Sequence, residues 1–256
     1  ALTLGVGNKL KNRPPIKRMT KNFYLILFLF TSVLLLGFYF TSEIKDFLMA
    51  HLGHLGIMLV SGLLLVAPNK GKLPKKQSSS FMIDQIFGVI TGTFGLLCLG
   101  NFIPVLASKL AGIEMSRFTK SAEFNRILII VISISIFEEI LFRRILAQKI
   151  NNSLGFKKAI WISALIFGLV HIYSDTGIIN ASIAGGIFAY IYLKTNNIYL
   201  SISAHLSYNL TTYFITPVFM KNFDAINKYS IIVAVIITGL ILIFGMTRIL
   251  NKKANG

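Results

Sequence analysis

Long apolar runs recur along most of this sequence, and they constrain its fold more than any other feature. A helix that crosses the hydrocarbon core of a bilayer needs about 20 predominantly apolar residues. Hydrophobic residues make up 54% of the chain and mean hydropathy is +0.71, values that soluble domains of this size seldom reach. The sequence therefore predicts an all-α fold, a polytopic integral membrane protein built as a bundle of about eight transmembrane helices. The candidate spans are 23–41, 47–67, 82–108, 127–149, 158–173, 176–194, 197–217 and 230–247.

The net charge of +17 is distributed as in a membrane protein, which argues against a nucleic-acid partner. Most lysines and arginines lie between the apolar runs, where basic loops stay cytoplasmic and face anionic lipid. With the N-terminus in the cytoplasm, 19 of the 26 basic residues fall on the cytoplasmic side. The pattern predicts a multi-pass protein of the cell membrane with both termini cytoplasmic and with membrane lipid as a partner.

The fourth span contains two adjacent carboxylates and an arginine, in the stretch IFEEILFRR. An ionisable side chain at the centre of a spanning helix costs roughly 2.5–3.5 kcal/mol, so such residues are functional candidates. Residues four apart share a helix face, so Glu139 and Arg143 are expected to pair. Glu138 lies about 140° away from Arg143 around an α-helix. We therefore predict a supporting pair beside one chemically free carboxylate, Glu138.

Two later spans add polar groups at the same spacing of four. The fifth ends on Phe167 and His171, and the seventh carries His205 and Asn209. At about 1.5 Å per residue, these groups and Glu138 lie at similar depth, so we expect one cavity, reached from the cytoplasmic side. A carboxylate can accept a proton from water, and imidazole and carboxamide donors can stabilise an oxyanion.

The three motifs, EExxxR at Glu138 to Arg143, FxxxH at Phe167 to His171 and HxxxN at His205 to Asn209, occur in one order. In this the chain resembles the CPBP family, the CaaX protease and bacteriocin-processing (Abi) intramembrane proteases. The resemblance implies that Glu138 activates water with His171 and that His205 and Asn209 form the oxyanion site. It also implies that Glu139, Arg143 and Phe167 support them. It divides the chain into a basic cytoplasmic tail, N-terminal transmembrane helices, a catalytic core, and a last helix with a basic tail, at 1–22, 23–125, 126–217 and 218–256.

The need for a metal stays open at this point. Glu138, His171 and His205 are candidate ligands for a divalent metal such as zinc, so both a glutamate-dependent and a metalloprotease mechanism are possible. The absence of an HExxH motif and the spread of the candidates over three helices argue against a tight zinc site. The one cysteine, Cys98, excludes a cysteine-rich metal site and an intrachain disulfide.

The function predicted from these residues is intramembrane hydrolysis of a peptide bond in a peptide or protein substrate. The richness in Ile, Lys and Asn is typical of an AT-rich bacterial genome, which favours a bacterial peptide precursor or bacteriocin self-immunity. The alternative is a non-catalytic membrane immunity protein, or a transporter that uses the same polar network as a proton relay.

Three smaller interpretations accompany this one. His51 and His54 are read as interfacial residues, and Ser133 and Ser135 as side chains that satisfy neighbouring backbone groups. Small residues in the sixth span predict a face on which another helix packs closely; they are Ala181, Ala184, Gly185 and Gly186.

Overall fold

A computed structural model of the chain describes residues 21–66, 82–112, 124–174, 177–217 and 228–251, and this part contains helices and no strand. The predicted all-α fold is confirmed. In chain order the elements are α1 (Lys21–Ser42), α2 (Phe47–Val66), α3 (Ile83–Leu110), α4 (Phe124–Glu138), a π-helical segment (Glu139–Ala147), α5 (Gln148–Leu154), α6 (Phe156–Val170), α7 (Ile178–Thr195), α8 (Ile198–Leu210), a second π-helical segment (Thr211–Ile215) and α9 (Tyr229–Asn251).

Each predicted span corresponds in the described part of the chain to one rod, by which we mean a single helix or a run of helical segments that join without a break. The fourth rod joins α4, the first π-helical segment and α5 without a break, and the seventh joins α8 to the second π-helical segment. Five helices, α1, α2, α3, α7 and α9, are long and apolar enough to cross a membrane. The other three rods carry the motifs. The chain is thus a polytopic membrane protein whose motif-bearing helices are short or interrupted by π-helical turns.

Small residues bring the helix axes close at two places. A Cβ at Gly95 of α3 would lie 2.9 Å from the carbonyl oxygen of Gly239 in α9, so the two backbones are in direct contact. A Cβ at Gly185 of α7 would lie 3.0 Å from the Phe167 side chain on α6. The close-packing face predicted on α7 is therefore present at Gly185, against a helix that carries site residues.

Helix α3 continues through Pro104 because a neighbouring helix repairs the hydrogen bond that proline breaks. Proline has no N–H, so the carbonyl of Gly100 loses its partner within the helix. The Nδ2 atom of Asn180 on α7 donates to that carbonyl at 3.2 Å, and the bond is buried. This bond joins α3 to α7 in a part of the bundle where water is not available to satisfy the carbonyl.

Candidate active site

Glu139 is the centre of a fully buried polar network. Its carboxylate accepts hydrogen bonds from Arg143 Nε, at 3.2 Å on Oε1 and 3.3 Å on Oε2, and both side chains have no exposed surface. The predicted pair is therefore present. The structure adds two donors from α8 that the sequence did not reveal, His205 Nδ1 at 3.0 Å and the hydroxyl of Ser201. Glu139 thus ties the fourth rod to α8.

Aromatic rings surround the guanidinium of Arg143. Its Cζ lies 4.5 Å from the ring centre of Phe167, 5.7 Å from that of Phe188 and 5.9 Å from that of Phe142. Its Nη1 donates to Ser163 Oγ at 3.4 Å. A cation within about 6 Å of a ring face is attracted by the ring quadrupole. The motif phenylalanine therefore packs on the supporting pair.

The helix changes from α to π between the two glutamates. Helix α4 ends at Glu138 and the π-helical segment begins at Glu139, whereas the sequence reading assumed one regular α-helix over 127–149. That assumption is wrong here, and the 140° angle does not describe the real geometry. A π-helical turn, closed by i→i+5 bonds, holds one residue more than an α-helical turn. It still sends Glu138 and Glu139 to different partners.

Glu138 lies between two imidazoles. His171 Nε2 is 3.7 Å from its Oε1, and His205 Nε2 is 3.7 Å from its Oε2. The carboxylate is buried, with 6% of its surface exposed. The three groups expected to meet therefore do meet. At 3.7 Å both contacts exceed direct hydrogen-bond length.

Hydrogen bonds at the other ring nitrogen fix the orientation of both imidazoles. Helix α6 ends at Val170, and the backbone N–H of His171 bonds to Gly168 O. This leaves the carbonyl of Phe167 to accept from His171 Nδ1 at 2.7 Å. His205 Nδ1 points at the Glu139 carboxylate. Carbonyls and ionised carboxylates only accept, so both Nδ1 atoms are donors and both Nε2 atoms face Glu138.

Asn209 lies one turn beyond His205 and is half-buried. Its Nδ2 donates to Ser135 Oγ at 3.0 Å, and both residues line the same cavity as Glu138. An amide nitrogen has two hydrogens, so Ser135 orients the group while one N–H stays available to a ligand. Ser135 was read as a partner of the backbone. The structure corrects this by giving it a side-chain partner.

A cavity of about 190 Å³ contains these four groups. It extends from these groups toward the helix ends opposite Lys149, Lys158 and Lys194. The expected access from the cytoplasmic side stays a prediction. Apart from the four groups and their packing neighbours Phe167 and Phe188, its wall consists of twelve residues toward the other end of the bundle, and seven of these are apolar. They are Phe38, His54, Ile130, Val131, Ile134, Ser135, Val170, Ser174, Ala181, Ala184, Tyr208 and Tyr213.

The two histidines of α2 face the bundle, and their interpretation as interfacial residues, which concerns depth in the membrane, stays a prediction. His54 lines the cavity and bonds the carbonyl of Ala50 through Nδ1 at 2.9 Å. His51 Nε2 lies 3.1 Å from Ser133 Oγ on α4. Ser133 also donates to the backbone carbonyl of Ile129 at 2.7 Å, as its own interpretation required.

Two serines of the network were missed, although the spacing contained a signal. Ser201 precedes His205 by four residues and Ser163 precedes Phe167 by four, so each lies on the same helix face as a motif residue. Serine is common in membrane helices, where it bonds to its own backbone, so the residue type alone did not mark them. The spacing of four residues from a motif residue was the feature that could have identified both serines.

Glu138, His171 and His205 are the candidate ligands for a divalent metal. Two imidazoles and a carboxylate are ligand types that zinc accepts. However, within the described ranges no group of three or more His, Cys, Asp or Glu side chains is arranged to hold a metal. Glu138 instead contacts His171 and His205. No step of the chemistry proposed below uses a metal.

Comparison with known proteins identifies the motif-bearing region. Residues 120–211 match a family model described as type II CAAX prenyl endopeptidase Rce1-like, and the stretch contains all three motifs. No curated protein and no solved structure gives a significant match. Residues 120–211 are therefore similar to a family of CAAX-type membrane proteases, in agreement with the resemblance that the motifs indicate.

Proposed function

We propose that the protein is an intramembrane endopeptidase in which Glu138 activates water for attack on a peptide bond. The observation that supports this most strongly is the position of the Glu138 carboxylate, 3.7 Å from each of two imidazole Nε2 atoms in a cavity. A carboxylate held beside oriented imidazoles suits general acid–base chemistry. We assign the catalytic core to 126–217.

In the proposed reaction a water molecule lies in the cavity against Glu138 and His171. One of its protons passes to Glu138 as its oxygen attacks the scissile carbonyl carbon. The other hydrogen stays on that oxygen and donates a hydrogen bond to His171 Nε2, which orients the molecule. The C–N bond then breaks, and the proton on Glu138 passes to the leaving amine. The products are a carboxylic acid, which then ionises by losing its proton to solvent water, and an amine, and no electrons are gained or lost.

The developing oxyanion is stabilised by Asn209 and His205. The amide N–H of Asn209 that Ser135 does not use is one donor. With a proton on each ring nitrogen, His205 donates from Nε2 while Glu139 holds Nδ1. Donors fixed in advance and aimed at developing charge contribute a large share of catalysis. The buried Glu139–Arg143 pair and the ring of Phe167 keep this donor in place.

The substrate class follows from the composition and the family. We propose a bacterial peptide precursor, or a bacteriocin in self-immunity, cleaved by a protein of the cell membrane with both termini cytoplasmic. The enclosed position of Glu138 favours an extended peptide segment over a folded protein. A non-catalytic immunity protein or a transporter with the same polar residues would not hydrolyse a peptide bond.

The test is hydrolysis by the purified protein in liposomes, with a peptide library in ¹⁸O-labelled water. Wild type is expected to give fragments that carry ¹⁸O in the new carboxylate. Glu138→Gln keeps shape but cannot accept the proton, so its rate should fall by roughly 10²–10⁴-fold.

The matched control is Glu43→Gln, the same substitution at an exposed carboxylate after α1, which should cleave at the wild-type rate. All variants are compared by thermal unfolding in detergent to verify folding. Equal cleavage by Glu138→Gln and wild type, or no cleavage by a folded wild type across the library, would contradict the proposal.

A further inference from the structure

We infer that substrate reaches Glu138 from the non-cytoplasmic side of the membrane, through a mouth near Ser174 and Tyr213, as an extended peptide with apolar side chains beside the scissile bond. The choice of a peptide rests on the proposed function. The direction of access rests on packing and charge alone.

The bundle is sealed on the lysine-rich side of the site. After Glu138, the fourth rod places Phe142, Leu146 and Ile150 at intervals of four residues, and none has exposed surface. At the same level lies the fully buried network of Glu139, Arg143, Ser163 and Ser201. Interiors packed in this way leave few voids larger than a water molecule. Within the described residues, a peptide that approached Glu138 from that side would have to displace this packed core.

The wall becomes more exposed toward the opposite end. Glu138, His205 and Phe188 are buried, whereas Tyr213, two turns beyond His205, is 51% exposed and Ser174, just beyond His171, is also exposed. Tyr213 and Ser174 are the exposed members of the cavity wall within the described residues. Both residues lie just beyond the C-terminal ends of α6 and α8, so the mouth is at that end of the bundle.

Charge assigns this end to the non-cytoplasmic side. In the sequence, 7 of the 26 lysines and arginines belong to the segments that join helices on the mouth side, together with six of the nine acids, so these segments are nearly neutral. The other 19 basic residues belong in sequence to the segments of the opposite side, where Asp84 is the one acid outside the site. Basic loops near membrane spans remain in the cytoplasm. The sealed end therefore faces the cytoplasm and the mouth faces away from it.

The wall between mouth and carboxylate determines what fits. It presents the apolar side chains of Phe38, Ile130, Val131 and Ile134, with His54 as the titratable group on α2. His54 is itself engaged, through Nδ1 with Ala50 O and through Nε2 with Thr41 Oγ1 at 3.4 Å. A mostly apolar pocket with a few polar groups selects apolar ligands. The fitting substrate is a linear apolar peptide that arrives from outside the cell or has already crossed the membrane.

Single cysteines test the direction of access in a Cys98→Ser background. Ser174→Cys reports on the mouth, Lys45→Cys marks the same end of the bundle, and Lys158→Cys marks the lysine-rich end; all three positions are exposed. Intact cells are treated with a charged, membrane-impermeant maleimide. Ser174→Cys and Lys45→Cys should react, and Lys158→Cys should react only after permeabilisation.

A second arm measures cleavage after labelling with a bulky maleimide. Modified Ser174→Cys should cleave a library peptide at least about tenfold more slowly, because the pocket mouth is blocked, whereas modified Lys158→Cys should not change. Reaction of Ser174→Cys only after permeabilisation would overturn the inference, as would unchanged cleavage after complete labelling there. If no peptide is cut at all, the proposed function fails, and the labelling pattern still decides which side the mouth faces.

Discussion

At the scale of residues, the two adjacent glutamates have opposite surroundings. Glu139 has an arginine, a histidine and a serine as hydrogen-bond donors, whereas Glu138 faces two imidazoles at 3.7 Å and a cavity. Donors on several sides fix the Glu139 carboxylate in place, whereas the Glu138 carboxylate faces a cavity that water or substrate can occupy. This contrast is why we assign support to one glutamate and chemistry to the other.

The supporting pair predicts a specific pattern of stability. Arg143→Met leaves Glu139 buried without its cation, and breaking a buried pair in this way costs roughly 3–5 kcal/mol. Glu139→Gln combined with Arg143→Met removes both charges and should be more stable than Arg143→Met alone. Thermal unfolding in detergent measures the difference. A double variant no more stable than the single one would show that charge compensation is not the role of the pair.

At the scale of elements, the π-helical segment sets the register between Glu138 and the rest of the fourth rod. Deleting Ile140, whose side chain is 38% exposed, removes the extra residue of a π-helical turn and shortens the spacing between Glu139 and Arg143 from four residues to three, so the side chains of this segment change their directions. Misplacement of a reacting group by about 1 Å can cost 10²-fold in rate, so cleavage should fall by at least about that factor.

The matched variant is Ile140→Ala, which keeps the residue count and should retain most activity. Peptide cleavage in liposomes measures both. If the deletion and the alanine variant behave alike, the register of the π-helical segment is not what positions Glu138.

The contact between α3 and α9 predicts a second contrast. Gly95→Ala places a Cβ 2.9 Å from the backbone oxygen of Gly239, which cannot move as a side chain would, and overpacking of this kind costs roughly 1–3 kcal/mol. Gly56→Ala on α2 has nothing within 4 Å of the added carbon and should be neutral or slightly stabilising. The unfolding temperatures of the two variants in detergent check this. Equal effects would mean that the helices separate easily.

Sequence patterns predicted the helices and the motif contacts well, for physical reasons. Bilayer thickness fixes the length of an apolar run, and a spacing of four places Glu139 with Arg143 and Phe167 with His171. The π-helical segment has no compositional mark in EILFRRILA. The roles of Ser201 and Ser135 depend on which helices become neighbours, and the direction of the cavity depends on how Phe142 and Leu146 fill the opposite half. None of these can be read from spacing within one helix.

At the scale of the whole molecule, long apolar helices surround a set of shorter ones that carry the chemistry. The helices that could cross a membrane unaided, α1, α2, α3, α7 and α9, supply apolar walls and close packing. The motif-bearing rods are short or contain π-helical turns, and the charged pair Glu139–Arg143 is neutralised and hydrogen-bonded within the bundle. In lipid an unsatisfied polar group is expensive, so this division lets a charged site exist inside a membrane protein.

The most direct test of the central claim is a double-mutant cycle on the rate of peptide cleavage, with Glu138→Gln, His171→Gln and the two combined. Groups that act on one water should not lose activity additively. Each single variant should lower kcat by roughly 10²–10⁴-fold, and the double variant should be little worse than the more damaged single one. Losses that multiply, or a single variant with wild-type kcat, would contradict the account.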